Sequence, residues 1–255
     1  MVVCEYIANP LLINNLKFDL RIYVAVTGIN PLRIYIYDEG LTRLATEDFT
    51  LASKRFDKFA HLTNFSVNKK NEKFRIDEQQ DGVGNKWSLG ALRAHLERLG
   101  MSYDAIRAEI EDIVVKTIMS IEHKLYTTAE SFLQYRNNCF ELLGFDILID
   151  DKLKAWLLEV NLSPSLACES PLDLKIKSSL IVDLLNLVGV FPSKKKSALI
   201  MKANENLLAY RNHQGFSAKA YDANLEVDVL TETYEEVRRS GQFKLIYPSY
   251  NAIYY

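Results

Sequence analysis

Between Lys17 and Thr27 apolar and polar side chains alternate: Phe18, Leu20, Ile22, Val24 and Val26 are apolar, with Lys17, Asp19, Arg21 and Tyr23 between them. Successive strand residues face opposite sides, so this pattern predicts a strand with one buried face and one charged face. Asn30-Pro31 marks a turn, Leu32 to Tyr37 reads as a second strand, and Glu39-Gly40 as another turn before Leu41 to Ala45. Together these make a small β-meander. Ahead of it, Met1 leads straight into the strand-like run Val2 to Ile7, so the chain is expected to open in mid-structure. The polar stretch Asn68 to Lys86, with Asn71, Asp81, Gly82 and Gly84, is expected to be a surface loop with little order of its own.

The period then changes. Ser88 to Leu99, stopped by Gly100, reads as a packing helix, as does Tyr103 to Leu125 with Ile106, Ile110, Ile113, Val114, Ile118 and Ile121 in one stripe. Two more strands, Phe140 to Ile149 and Ala155 to Asn161, are joined by a turn at Asp150-Asp151-Lys152. A helix from Pro171 to Val188 is opened by Ser170 and Asp173 in a capping-box-like arrangement and closed by Gly189 and Pro192. Beyond it, Lys194-Lys195-Lys196 leads into helical, charged sequence. The class is α+β: antiparallel β-structure packed with helices over residues 1–191, then a helical extension over 192–255.

At 255 residues and 48% hydrophobic, the chain can bury one substantial core. Its three cysteines, Cys4, Cys139 and Cys168, are odd in number and widely separated, which fits neither a disulfide framework nor a zinc cluster and points to a reducing compartment. Leu180 to Phe191 is too short, and too interrupted by Asp183 and Asn186, to span a bilayer. Asn9 and Asn14 come too soon for a secretory signal. A net charge of -2 gives no whole-molecule positive field, so neither a nucleic acid nor a membrane partner is expected, and an acidic substrate must be held by a local patch.

Chemistry gathers on the last hairpin. Glu159 and Asn161 share one face of their strand. If the hairpin turns about the Lys152-Leu153 bond, Asp146 lies opposite Glu159, within roughly 5 Å at the Cβ atoms. Carboxylates brought together on a half-buried sheet must share a proton or bind a cation. Hard oxygen ligands in incomplete number suit Mg2+. A single acid on a strand is ordinarily a solvated position, and Lys17, Asp19 and Arg21 by themselves read as a solvated face with cross-strand ion pairs.

Longer motifs add to this. Lys17-Phe18-Asp19-Leu20-Arg21, Asp38 to Arg43, His61 to Lys69, Gly84 to Ser88, Cys139 to Asp146 and Leu157 to Leu166 resemble, in order and spacing, the tubulin tyrosine ligase-like family over about Val2 to Val190. The stretch Cys168 to Ile181 is most similar to the polyglutamylase members. The resemblance implies an ATP-grasp-like fold and an ATP- and Mg2+-dependent ligase. It implies that Cys4, Glu5, Tyr6 and Ile7 form the hinge at the adenine edge. Relatives often carry glutamine where Cys4 stands. Lys17, Asp19, Thr63 and Asn64 would line the nucleotide site, and Arg21 would face the reacting phosphate as the catalytic group. Arg43, Ser66 and Lys86 would bind free L-glutamate, although Arg43 and Lys86 alone could be ordinary surface charges. Asp146, Glu159 and Asn161 match the family's magnesium ligands. The expected partner is tubulin or the acidic tails of microtubules, in the cytoplasm and cytoskeleton, with cilium or centriole as further sites. The family has a region upstream of the hinge, so the chain is expected to be amino-terminally truncated; the alternatives are a non-catalytic tubulin-interacting fragment and a sister ligase adding glycine or tyrosine. His95, His123 and His213 lack metal-ligand spacing and read as packing or surface residues.

Overall fold

The computed structural model describes residues 4–49, 56–76, 80–133, 139–190 and 223–248. Val2, Val3, Pro192, Lys194 to Lys196 and His213 lie outside the described residues. The described residues up to Leu180, with Gln242 to Pro248, form one compact unit, and those from Ile181 to Gly241 a second.

The first unit is built on an antiparallel sheet. Its strands are β1 (Leu12–Ile13), β2 (Leu16–Ile29), β3 (Leu32–Leu44), β4 (Lys86–Ser88), β5 (Glu141–Ile149), β6 (Ala155–Asn161) and β7 (Phe243–Tyr247). They run in the order β4-β3-β2-β5-β6, with β1 also on β2 and β7 also on β3. The alternation from Lys17 to Thr27 is realised as expected: Phe18, Leu20, Ile22 and Val24 are buried with Ile34, Ile36, Phe145 and Ile147 in one cluster. Covering this face are α3 (Leu89–Arg98), through Leu92 and Leu96, and α4 (Tyr103–Met119), through Ile106, Ile110, Val114 and Ile118. Each such aliphatic side chain gains about 1.5–3 kcal/mol on full burial. The opposite face carries the charged Lys17, Asp19, Arg21 and Asp146 together with the buried Tyr23, Tyr35 and Tyr37.

Four expectations need correction. Glu39-Gly40 is no turn: β3 runs unbroken through it, with a register shift against β2 between Ile22 and Val24. Gly40 is small for another reason, because a Cβ there would come within 2.4 Å of the Arg21 carbonyl oxygen. Glu39 meanwhile accepts hydrogen bonds from the Leu89 and Gly90 amides and so caps α3, which Ser88 also caps through the Ala91 amide. The long helix breaks at Ser120-Ile121 into α4 and α5 (Glu122–Phe132). The buried stripe ends at Ile118, while Ile121 is exposed. Cys4 to Ile7 joins no β-ladder. Within the Asn68 to Lys86 segment the described residues are better ordered than their polarity suggests, since Asn68, Asn85 and Lys86 are all buried.

Two short helices, α1 (Lys58–His61) and α2 (Phe65–Asn68), bring the His61 to Lys69 motif over the charged face. Asn68 fastens it: its Oδ1 accepts from the Thr46 amide and hydroxyl, and its Nδ2 donates to the Leu62 carbonyl at 2.7 Å. After the β5–β6 hairpin comes α6 (Pro171–Leu187). Its start is capped by Ser170, whose Oγ accepts from the Asp173 amide at 3.1 Å, the anticipated capping-box-like pair. The second unit contains α7 (Ala223–Arg238), which falls in the expected helical extension. The strand β7 was not anticipated within it; it pairs with β3 from Ile34 to Tyr37.

Candidate functional site

The polar face of β2, β3 and β5 carries a buried ion-pair chain. Register places Asp19 opposite Arg43, and Arg21 opposite Asp146. Arg43 grips Asp19 with two bonds, Nε to Oδ1 at 2.8 Å and Nη2 to Oδ2 at 2.6 Å, and reaches Asp146 Oδ2 at 2.8 Å. Arg21 holds Asp146 from the other side, Nε to Oδ1 at 2.6 Å and Nη2 to Oδ2 at 3.2 Å. Two arginines and two aspartates cancel in charge, and the bidentate geometry fixes both guanidinium planes. Burial alone would raise the Asp146 pKa, but bonds and charge from Arg21 and Arg43 outweigh it and hold the carboxyl below its usual value. Arg43 is correspondingly held above its ordinary value, its burial outweighed by Asp19 and Asp146. Gly144 leaves room for this: a Cβ there would stand 2.8 Å from Pro164 and 3.3 Å from Arg21 Cδ.

The anticipated pairing of Asp146 with Glu159 is present, though by a different route. The β5–β6 turn centres one step earlier, with Ile149 opposite Ala155, and a register shift between Asp146 and Ile147 restores the pair. Glu159 is exposed, and its Oε1 accepts from Asn161 Nδ2 at 3.1 Å. A carboxylate offers about four lone-pair sites. The arginines take three at Asp146, leaving one on the residue that the ladder pairs with Glu159. This donor set fits a hard divalent cation. Among the described residues no group of three His, Cys, Asp or Glu side chains gathers anywhere, so a metal here would take an amide oxygen as its third protein ligand.

The residues expected around the nucleotide are only partly together. Lys17 is buried, and desolvation lowers its pKa despite the nearby Asp19. Its ammonium lies 4.9 Å from the Tyr6 ring centre and donates to the Tyr6 hydroxyl at 3.4 Å. That hydroxyl pairs with His61 Nδ1 at 2.7 Å. Tyr6 thereby ties the leading segment to the sheet, while Cys4 and Glu5 are exposed. Thr63 is buried and Asn64 is exposed, making no side-chain cap to α2.

A cavity of about 290 Å3 opens over Arg21 and Arg43 and extends to Asn64, Ser66, Lys86 and Glu169. Arg43, Ser66 and Lys86 all line it. Lys86 is buried, 4.3 Å from the Phe65 ring centre, and bonded to Asp173 Oδ2 at 2.7 Å. Asp173, Lys177 and Tyr23 also line the cavity and were not singled out as site residues. Asp173 read as part of a helix cap; Ser170 is the cap, Asp173 accepts from the Ser170 hydroxyl, and its bond to Lys86 depends on β4 and α6 meeting, 87 residues apart.

Residues 1–198 match the model of the tubulin-tyrosine ligase family. The chain is 50% identical over 192 residues to a protein of Mus musculus named tubulin polyglutamylase TTLL5, covering 74% of this chain and 14% of that protein. It is 39% identical over 285 residues to tubulin monoglutamylase TTLL4 of Homo sapiens, covering 98% and 24%. Against tubulin polyglutamylase ttll-4 of Caenorhabditis elegans it is 36% identical over 281 residues, covering 100% and 46%. The chain thus spans less than half the length of these relatives.

Proposed function

The chain belongs to the tubulin-tyrosine ligase family, and from that premise we propose that it carries the catalytic face of an ATP-dependent ligase joining glutamate to glutamate side chains in the acidic tails of tubulin. The fold is read as ATP-grasp-like, with residues 1–191 supplying central and carboxyl-terminal parts of the ligase domain and 192–255 an extension. The supporting observation is the meeting of Asp146 and Glu159 across the β5–β6 ladder, beside two arginines whose geometry is fixed.

The chemistry follows from these residues. An acceptor carboxylate oxygen bonds to the γ-phosphorus of ATP as the bond to ADP breaks, giving an acylphosphate; the amine of free glutamate then bonds to the acyl carbon as phosphate leaves. Arg21, already oriented by Asp146, presents positive charge where the phosphoryl oxygens gather, and costs no reorganisation at the moment of reaction. Lys17 carries an ammonium on the same strand face for the nucleotide phosphates, with Asp19, Thr63 and Asn64 around it. Asp146, Glu159 and Asn161 would hold magnesium, which when bound offsets phosphate charge. Arg43 anchors the chain of ion pairs and, with Ser66 and Lys86, lines the cavity read as the glutamate subsite. Tubulin as acceptor places the protein at the cytoskeleton.

The test is amino-acid choice. With the intact protein, tubulin, ATP and magnesium, labelled glutamate is incorporated, and labelled glycine or tyrosine at least tenfold more slowly. Preferential glycine or tyrosine incorporation would make it a sister ligase, and no incorporation of any of them would make it a non-catalytic tubulin-binding segment.

A further inference from the structure

Away from the arginine–aspartate chain, three side chains form a hydrogen-bonded line with one direction. Lys17 is 8% exposed, and among the described residues no carboxylate pairs with its ammonium; the nearby Asp19 gives both oxygens to Arg43, at 2.8 and 2.6 Å. Tyr6 holds the ammonium instead. Its hydroxyl accepts from Lys17 Nζ at 3.4 Å and its ring centre lies 4.9 Å away, with the Phe49 ring centre at 6.0 Å. On its other side the same hydroxyl stands 2.7 Å from His61 Nδ1. A hydroxyl has one proton to give, so while it accepts from the ammonium it donates to the ring nitrogen, and the line runs from Lys17 to Tyr6 to His61. Burial raises the Tyr6 pKa, which keeps that proton in place.

The far end of the line is anchored. His61 closes α1, which the Asp57 side chain caps through the Phe59 amide at 2.8 Å. The Phe59 carbonyl accepts from the Thr46 and Glu47 amides at 3.0 and 3.2 Å, just beyond β3. The imidazole stacks on Phe56, with ring centres 5.3 Å apart, and meets Phe49 edge-on at 5.1 Å. Tyr6, by contrast, belongs to no β-ladder and is half exposed. Its hydroxyl therefore takes its position from His61 and passes it to Lys17. An ammonium carries three donors. The hydroxyl occupies one, and the other two are available to a ligand.

We propose that His61 is a positioning residue for the nucleotide: through the Tyr6 hydroxyl it holds the Lys17 ammonium in one pose, with two donors free for phosphate oxygens, before ATP arrives. This rests on the reading that Lys17 serves the nucleotide phosphates and deepens it, because it gives a role to a side chain that touches no substrate. A long side chain ordered in advance loses less freedom when the ligand binds. The gain falls on the phosphates, which Lys17 meets, and not on the base.

The test is calorimetric binding of a non-hydrolysable ATP analogue and of adenosine to the intact protein with magnesium, read as the ratio of the two affinities. Tyr6→Phe keeps the ring and the backbone and removes only the hydroxyl; His61→Leu removes the acceptor. Each is expected to lower the ratio about fivefold. His61→Asn, whose amide oxygen falls near the place of Nδ1, restores it to within twofold of wild type. In a Lys17→Met background Tyr6→Phe has no further effect, since the line then has no cation to place. Should His61→Leu not fold, Tyr6→Phe at its half-exposed position decides. A wild-type ratio in folded Tyr6→Phe, or equal loss for both ligands, overturns the positioning role while leaving the nucleotide reading intact. No binding of the analogue by wild type overturns the nucleotide reading itself and the positioning role with it.

Discussion

Arg43 is the residue on which the most depends. It touches both Asp19 and Asp146, so Arg43→Ala would leave the Asp19 carboxylate, 3% exposed, without its arginine and Asp146 with Arg21 alone. Breaking a buried pair by removing one partner costs about 3–5 kcal/mol, and here Asp19 loses its arginine while Asp146 loses one of two. A melting temperature within 1 °C of wild type, by calorimetry, would show that the ion-pair chain is not structural. Acid tests the same network from the other side. Because the Asp146 pKa is depressed in the folded protein, its contribution is complete above the unfolded value of roughly 3.9 and is lost as pH falls through the lower folded value. The stability difference between wild type and Asp146→Asn, measured by denaturant titration, is therefore constant from about pH 5 to 7 and shrinks below about pH 4. A difference that grew on acidification would contradict the assignment. The sequence made half of this legible. That Lys17, Asp19 and Arg21 share a face follows from a period of two; that Arg21 meets Asp146 does not, because the partners lie 125 residues apart and strand order is not encoded in periodicity.

At the scale of elements, local signals were faithful where one residue's neighbours decide the outcome. Ser88, Ser102 and Ser170 cap the helices they precede, and Gly100 and Gly189 take the positive φ of helix ends. They misled where tertiary packing decides. Glu39-Gly40 has the composition of a turn, but the backbone continues because the glycine lets β3 approach the Arg21 carbonyl and the glutamate caps α3. Gly40→Ala is expected to cost about 1–3 kcal/mol, the range for forcing extra atoms into a packed region. It should also lower activity, since the displaced carbonyl belongs to Arg21. Unaltered stability and turnover in this variant would mean that the close approach is not required. The β5–β6 hairpin teaches the converse: Asp146 and Glu159 do face each other, yet a turn placed one step away and a shift in the ladder both had to be right.

For the molecule as a whole, a net charge of -2 gives no long-range attraction for an acidic tail. Cationic chemistry is instead concentrated in one cavity, where Arg21, Arg43, Lys86 and Lys177 converge above a sheet whose other face is the apolar core. Among the described residues no helix is long and apolar enough to cross a membrane. The family assignment rests on residues 1–198, and the same span holds every side chain given a chemical role here. The central claim is that the β5–β6 hairpin is the catalytic edge of that sheet. It is tested most directly by labelled-glutamate incorporation into tubulin by the intact protein carrying Glu159→Gln, a change of charge without change of shape at an exposed position. The expected result is a loss of at least a hundredfold in turnover, with the melting temperature within about 2 °C of wild type; wild-type turnover in a folded Glu159→Gln protein would contradict the account.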